Sequence, residues 1–168
     1  MDTTICTIGF AGKTAEQFFS LLTQAGVKRL VDIRENRGGQ LSGFAKYPDL
    51  AFFLDHIAGI AYAYEPRLAP APEIRKVYRA TKDWPMYESS FLQLMRDRDI
   101  PRTLEPLRLG GTTALLCSEP GPEKCHRRLV AELLAEHLRG MGHAVAIRHL
   151  IVEKHKQPGR KRERKSSS

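Results

Sequence analysis

A chain of 168 residues, 42% hydrophobic and 27% charged, is long enough to bury a core of its own, and no run nears the roughly 18 consecutive apolar residues of a membrane span. Three cysteines, an odd number in a chain that needs no staples, exclude a secreted disulfide framework. The opening Met1-Asp2-Thr3-Thr4 lacks the basic and apolar regions of a secretory signal, so a cytoplasmic protein with reduced thiols and no membrane partner is expected. The formal charge is +8, but seven of the 27 basic residues and one of the 19 acids fall in 154–168, which leaves the rest of the chain close to neutral.

Residues 4–8 are short, β-branched and stopped by Gly9, which predicts a buried strand and a turn. Phe18, Leu21, Leu22 and Ala25 recur at helical spacing and Gly26 closes the run, so 14–25 is a predicted helix. Residues 28–34 read as the second strand, followed by a glycine-bearing loop over 35–42, a helix over 49–57 and a third strand over 60–64. The proline- and aromatic-rich stretch 68–106 carries two amphipathic runs, 73–81 and 87–97, and is expected to be a helical insertion or lid. A strongly apolar strand over 112–117, a helix over 129–138 and a last strand over 144–151 complete the pattern.

Strands separated by helices place the chain in the α/β class. The expected architecture is a five-stranded, mostly parallel, Rossmann-like sheet of order 3-2-1-4-5, with helices on both faces and the insertion between strands three and four. In that order the first and fourth strands are neighbours, and a ligand crevice falls between the Gly9 turn and the Cys117 turn. The organisation expected is one α/β domain over 1–152 and a basic tail over 153–168. The tail has no apolar residue among 154–168, so disorder is expected there. Its charge suits nucleic acid through counterion release, or serves only as a solubilising end.

The chemistry-bearing residues gather at one strand end. Cys117 closes the most apolar strand, and the proline-stiffened Ser118-Glu119-Pro120-Gly121-Pro122 loop leads to Cys125, His126, Arg127 and Arg128 at a predicted helix start. A helix N-terminus and neighbouring cations both favour thiolate, which makes Cys125 a candidate nucleophile alongside Cys117. Taken alone, either cysteine is equally a packed core residue. The clustering of Cys117, Glu119, Cys125, His126 and Arg127 is what points to a functional site.

Three chemistries fit these residue types: a thiolate nucleophile with Glu119 or His126 as acid or base, a Cys117–Cys125 redox pair, or a metal held by the thiols and His126. No metal is expected, because adjacent helical residues such as Cys125 and His126 diverge by about 100° and no second Cys-x-x-Cys pair completes four ligands.

Two further motifs lie at the other strand ends. Gly9-Phe10-Ala11-Gly12-Lys13-Thr14 imitates the end of a phosphate-binding loop, but Thr7 stands where the first glycine belongs, so a turn and helix start touching at most one anion is the better reading. Asp32 and Arg34 share one side of the second strand. They form either a salt bridge supporting the next loop or, facing the crevice, a substrate contact through Arg34.

Thr7-Ile8-Gly9, Leu30-Val31-Asp32-Ile33-Arg34, Leu41-Ser42-Gly43-Phe44, Tyr64-Glu65-Pro66-Arg67-Leu68-Ala69-Pro70, Leu115-Leu116-Cys117-Ser118-Glu119 and Lys124-Cys125-His126-Arg127-Arg128-Leu129-Val130-Ala131-Glu132 together resemble the domain of unknown function family 488. The resemblance runs from about Thr4 to Leu150. It implies Asp32, Arg34, Cys117, Glu119, Cys125, His126 and Arg127 as a shared polar set and implies no established activity. The chain departs from the family in carrying Phe10-Ala11-Gly12-Lys13 where a His-Ser pair usually follows the glycine.

The function expected from these residues is a thiol-dependent enzyme acting on a phosphate-bearing substrate, a nucleotide or a nucleic acid. Cys117, Glu119, Cys125 and His126 are the catalytic candidates, and Gly9, Asp32, Arg34 and Arg127 the substrate-binding ones. The alternatives are a non-catalytic nucleic-acid-binding or adaptor module and a Cys117/Cys125 redox sensor. An anionic small molecule, or nucleic acid on the basic tail, is the expected partner. Cofactor and oligomeric state are left open.

Overall fold

Five strands pair in parallel in the computed structural model, which describes residues 2–39, 42–102 and 111–152. The basic tail expected from residue 153 lies outside the described residues. The strands are β1 (Asp2–Gly9), β2 (Arg29–Asp32), β3 (Ala61–Tyr64), β4 (Thr112–Cys117) and β5 (Ala144–Leu150). The helices are α1 (Ala15–Gln24), α2 (Asp49–Ala58), α3 (Pro72–Thr81), α4 (Trp84–Asp97) and α5 (His126–Gly140).

Local chemistry sets the helix ends. Thr14 accepts from the Gln17 backbone N–H while the Gln17 side chain accepts from the Thr14 N–H, a reciprocal capping box that starts α1. This assigns Thr14 to capping. Helix α2 ends on Gly59 at φ +61°, a left-handed conformation that glycine adopts without steric penalty. Asp83 caps α4 through the Met86 N–H.

The strand order is β3-β2-β4-β1-β5, which corrects the expected 3-2-1-4-5 by placing β4 between β1 and β2. Five of the six β4 residues are buried, as a central strand covered on both faces requires. Strand β5, at the edge, is exposed along most of its length. The α1 crossover passes over β4 to reach β2, and neither order violates right-handed crossover rules.

Alternate residues feed two cores. Ile5, Val31, Ile33 and Leu115 pack with α4 and α5, while Cys6, Ile8, Leu30, Ala114 and Leu116 pack with α1 and α2. At roughly 25 cal/mol per Å² of apolar area removed from water, these two buried layers supply the main drive for folding. No described helix is long and apolar enough to cross a membrane.

The register places Gly9 beside Cys117 on one flank of β4 and Asp32 beside Leu116 on the other. Three strands therefore end at the same level, and the turn after β4 is bordered by both neighbours. Backbone bonds from Ala11 to Ser118 (3.0 Å) and from Ile33 to Leu116 (3.1 Å) tie the three ends together.

Candidate thiol site

Cys117 continues the face of β4 that carries Leu115, so its sulfur turns toward α4 and α5. It is only 5% exposed. Its Sγ lies 3.6 Å from His126 Nδ1, and His126 Nε2 lies 3.3 Å from the Ile33 carbonyl oxygen. A carbonyl can only accept, so Nε2 carries the hydrogen; in neutral His126 the Nδ1 lone pair then faces the Cys117 thiol. Phe91, with its ring centroid 5.7 Å from that of the imidazole, closes the far side.

Cys125 stands at the helix start as expected, but just outside the first turn. It is the N-cap of α5, with extended dihedrals of −136° and 136°, and its sulfur is free to turn back toward Cys117. The divergence expected of adjacent helical side chains therefore does not apply. The donor atoms of Cys117, Cys125 and His126 all lie within 4.8 Å of one another.

The neighbouring Cys125 thiol lowers the Cys117 pKa well below the ordinary thiol value against the opposing effect of burial, with the charge and hydrogen bond of His126 and the Glu119 backbone N–H adding to the effect. The Cys125 pKa is pushed up by its contact with Cys117 and by burial. Burial opposes charge on His126, but attraction to Cys117, their hydrogen bond and the Ile33 carbonyl together raise its pKa. Helix α5 starts His126-Arg127-Arg128 with no acid in its first turn, an arrangement the helix dipole disfavours unless negative charge sits close by. A thiolate at Cys117 would supply that charge.

Arg127 is fully buried. Its Nη1 donates to the Glu119 carbonyl at 2.5 Å and to the Cys125 sulfur at 3.6 Å, and its Nη2 donates to the Pro120 carbonyl at 3.4 Å. Its Nε is buried without a hydrogen-bond partner. The side chain thus ties the Glu119–Pro120 backbone to the helix start. Gly9 permits this packing, since a Cβ there would overlap the Glu119 carbonyl oxygen and sit 2.6 Å from Arg127 Nη1.

Cys117, Cys125 and His126 open onto a cleft of about 630 Å³. Of the expected site residues, Arg34 and Glu119 also line it, whereas Gly9, Asp32 and Arg127 lie behind the wall. Asp32 is fully buried and grips Arg34 through Nε at 2.8 Å and Nη2 at 2.6 Å, the expected salt bridge, while Arg34 also lines the cleft. The Tyr62 hydroxyl, whose pKa burial pushes up to about 12, donates to the same carboxylate at 2.8 Å. Arg34 also lies over the Phe10 ring.

The opposite wall comes from the stretch expected to be an insertion. Arg75, Tyr78 and Arg79 from α3, Lys82 at its C-cap and Tyr87 from α4 line the cleft, joined by Lys124 from the loop before α5. Arg75 is paired with Glu35. Tyr87 is buried, and its hydroxyl pKa is raised by burial and by the nearby sulfurs of Cys125 and Cys117, so it stays protonated as a donor. Sequence reasoning missed this wall, although Arg75 and Arg79 recur at i and i+4 on one predicted helix, the spacing of a single face, with Lys82 just past its end.

The sequence model of the family described as "Domain of unknown function DUF488" matches residues 14–134. That span holds Asp32, Arg34 and the whole turn from Cys117 to Arg127, and it begins after Gly9. No curated protein and no solved structure matches the chain.

Proposed function

The chain belongs to the DUF488 family, and from that premise we propose that it is a thiol-dependent enzyme acting on a phosphate-bearing substrate, a nucleotide or a nucleic acid. The observation that carries the proposal is the Cys117–His126 contact of 3.6 Å at the base of a cleft walled by cations. Arg34, held rigid by Asp32, and the exposed Arg79, Lys82 and Lys124 receive the anionic oxygens.

Cys117 is the nucleophile and Cys125 the donor that steadies its thiolate. The Cys117 proton passes to His126 Nδ1, Sγ bonds to the electrophilic centre, and the bond to the leaving group breaks as that group takes the proton back from His126. Water then attacks the adduct, giving its proton to Glu119 at the exposed rim, and the sulfur departs. Gly9 and Arg127 act by positioning the turn.

The test compares Cys117 alkylation by iodoacetate and by neutral iodoacetamide, in chelator-treated protein at pH 7 with and without inorganic phosphate. The anionic reagent is expected to gain at least several-fold relative to its ratio on a free thiol, and phosphate to remove the gain. An unchanged ratio and no phosphate effect would overturn the anion-directed reading. The adjacency of the Cys117 and Cys125 sulfurs favours a redox pair as a second reading. It requires a mild two-electron oxidant to yield an intramolecular bridge with loss of two hydrogens, and persistent free thiols under such treatment would exclude it.

A further inference from the structure

We infer that Cys117, Cys125 and His126 form a seat for one soft divalent cation of the Zn²⁺ class, with its fourth coordination position open to the cleft. Three converging donors of these types are the ligand chemistry that such an ion selects. A tetrahedral Zn²⁺ with Zn–S near 2.3 Å and Zn–N near 2.0–2.1 Å sets sulfur and nitrogen about 3.6 Å apart. The Cys117 Sγ to His126 Nδ1 separation is 3.6 Å, and all three donor atoms fall within 4.8 Å. Small side-chain rotations close the remaining distance.

The imidazole is already oriented for this role. The Ile33 carbonyl takes the Nε2 hydrogen, which leaves Nδ1 as the metal-binding lone pair, and a metal-bound histidine characteristically donates its other ring N–H in this way. Among the described residues the cluster holds three donors, one short of a closed structural site. All three line the cleft, so the vacant position faces the space where an anion or water enters. The pattern is that of an open site.

Binding is balanced by proton release. The two protons shared among Cys117, Cys125 and His126 leave to the buffer as two sulfur–metal bonds form and His126 contributes its Nδ1 lone pair. Bound metal occupies the electron pairs that the thiol chemistry uses, so it masks the nucleophile until it is removed. The seat stands on its own geometry, and only this masking rests on the function proposed above.

Metal-stripped full-length protein titrated with Co²⁺, followed by Zn²⁺ in competition with a chromophoric chelator, tests the seat. The expected result is one ion per chain, a sulfur-to-cobalt charge-transfer band with tetrahedral d–d bands, and displacement of Co²⁺ by Zn²⁺. Cys125→Ser is expected to weaken binding at least 100-fold and His126→Gln at least 10-fold, with far-UV circular dichroism checking that each variant folds. Absence of the charge-transfer band in the wild type, or a band unchanged by Cys125→Ser, would overturn the proposal. The wild-type spectrum decides the matter even where a variant misfolds. Alkylation of Cys117 in the stripped protein reads the nucleophile separately: fast alkylation with no cobalt band sinks the metal seat alone, and a cobalt band with slow alkylation upholds the seat while the thiol reading fails.

Discussion

The two walls of the cleft are built in opposite ways. The turn from β4 to α5 is held from inside: Cys117, Cys125, His126 and Arg127 are all buried, and Arg127 ties the Glu119–Pro120 backbone to the helix start. Helix α3 across the cleft has no buried residue and presents Tyr78, Arg79 and Lys82 to the space between. Groups that exchange protons need fixed separations, which packing supplies. Groups that collect an anion by charge tolerate looser placement, because Coulomb attraction falls off gently with distance. Under the proposed function, reactivity and capture fall to different elements.

Disturbing the rigid wall should have the largest effect. Arg127→Ala removes the bonds to the Glu119 and Pro120 carbonyls and leaves a void, a loss of about 3 kcal/mol. In a chain of this size that corresponds to a fall in Tm of roughly 10 °C by calorimetry. Gly9→Ala drives a Cβ into the Glu119 carbonyl and Arg127 Nη1 and should cost about 1–3 kcal/mol, the usual penalty of overpacking. A Gly9→Ala protein as stable as the wild type would mean that the turn does not depend on this close approach.

The adaptable wall should respond in the converse manner. Arg79→Ala with Lys82→Ala is expected to leave stability within about 0.5 kcal/mol, since both side chains are exposed. The concentration of inorganic phosphate that protects Cys117 from alkylation should rise about 3- to 10-fold and become less dependent on salt. If protection is unaltered, α3 is not the capturing wall.

Most of this architecture could be read from the chain, for reasons that differ by element. The apolar period and the Gly26 and Gly59 stops are local signals, so every α-helix and strand among the described residues was expected within a few residues of where it lies. Strand order depends on which element covers which, and a crossover that skips one strand leaves no mark in α1. The strong apolar character of β4 was the available clue to its central place. The turn from Cys117 to His126 was legible because its residues are close in sequence.

The Asp32–Arg34 bridge, two residues apart on one strand, was among the expected readings, whereas the enclosure of Arg127 by the Glu119 and Pro120 carbonyls was not legible, because it depends on the path the loop takes over the helix start. The convergence of the Cys117 and Cys125 sulfurs was hidden as well. It depends on Cys125 capping the helix rather than joining it, a difference of one residue at a helix boundary.

The central claim is that Cys117 is a thiolate at neutral pH, and the direct measurement is its alkylation rate by iodoacetamide across pH 5 to 10 in chelator-treated protein, with Cys117 identified by peptide mass. A depressed thiol pKa fills the thiolate state above the lowered value and empties it as pH falls through that value. The account therefore predicts a rate that has levelled well below pH 8.5 and drops on the acid side, and a His126→Gln protein whose midpoint moves upward. A Cys117 rate that rises only around pH 8.5 or above, as for an ordinary thiol, would contradict it.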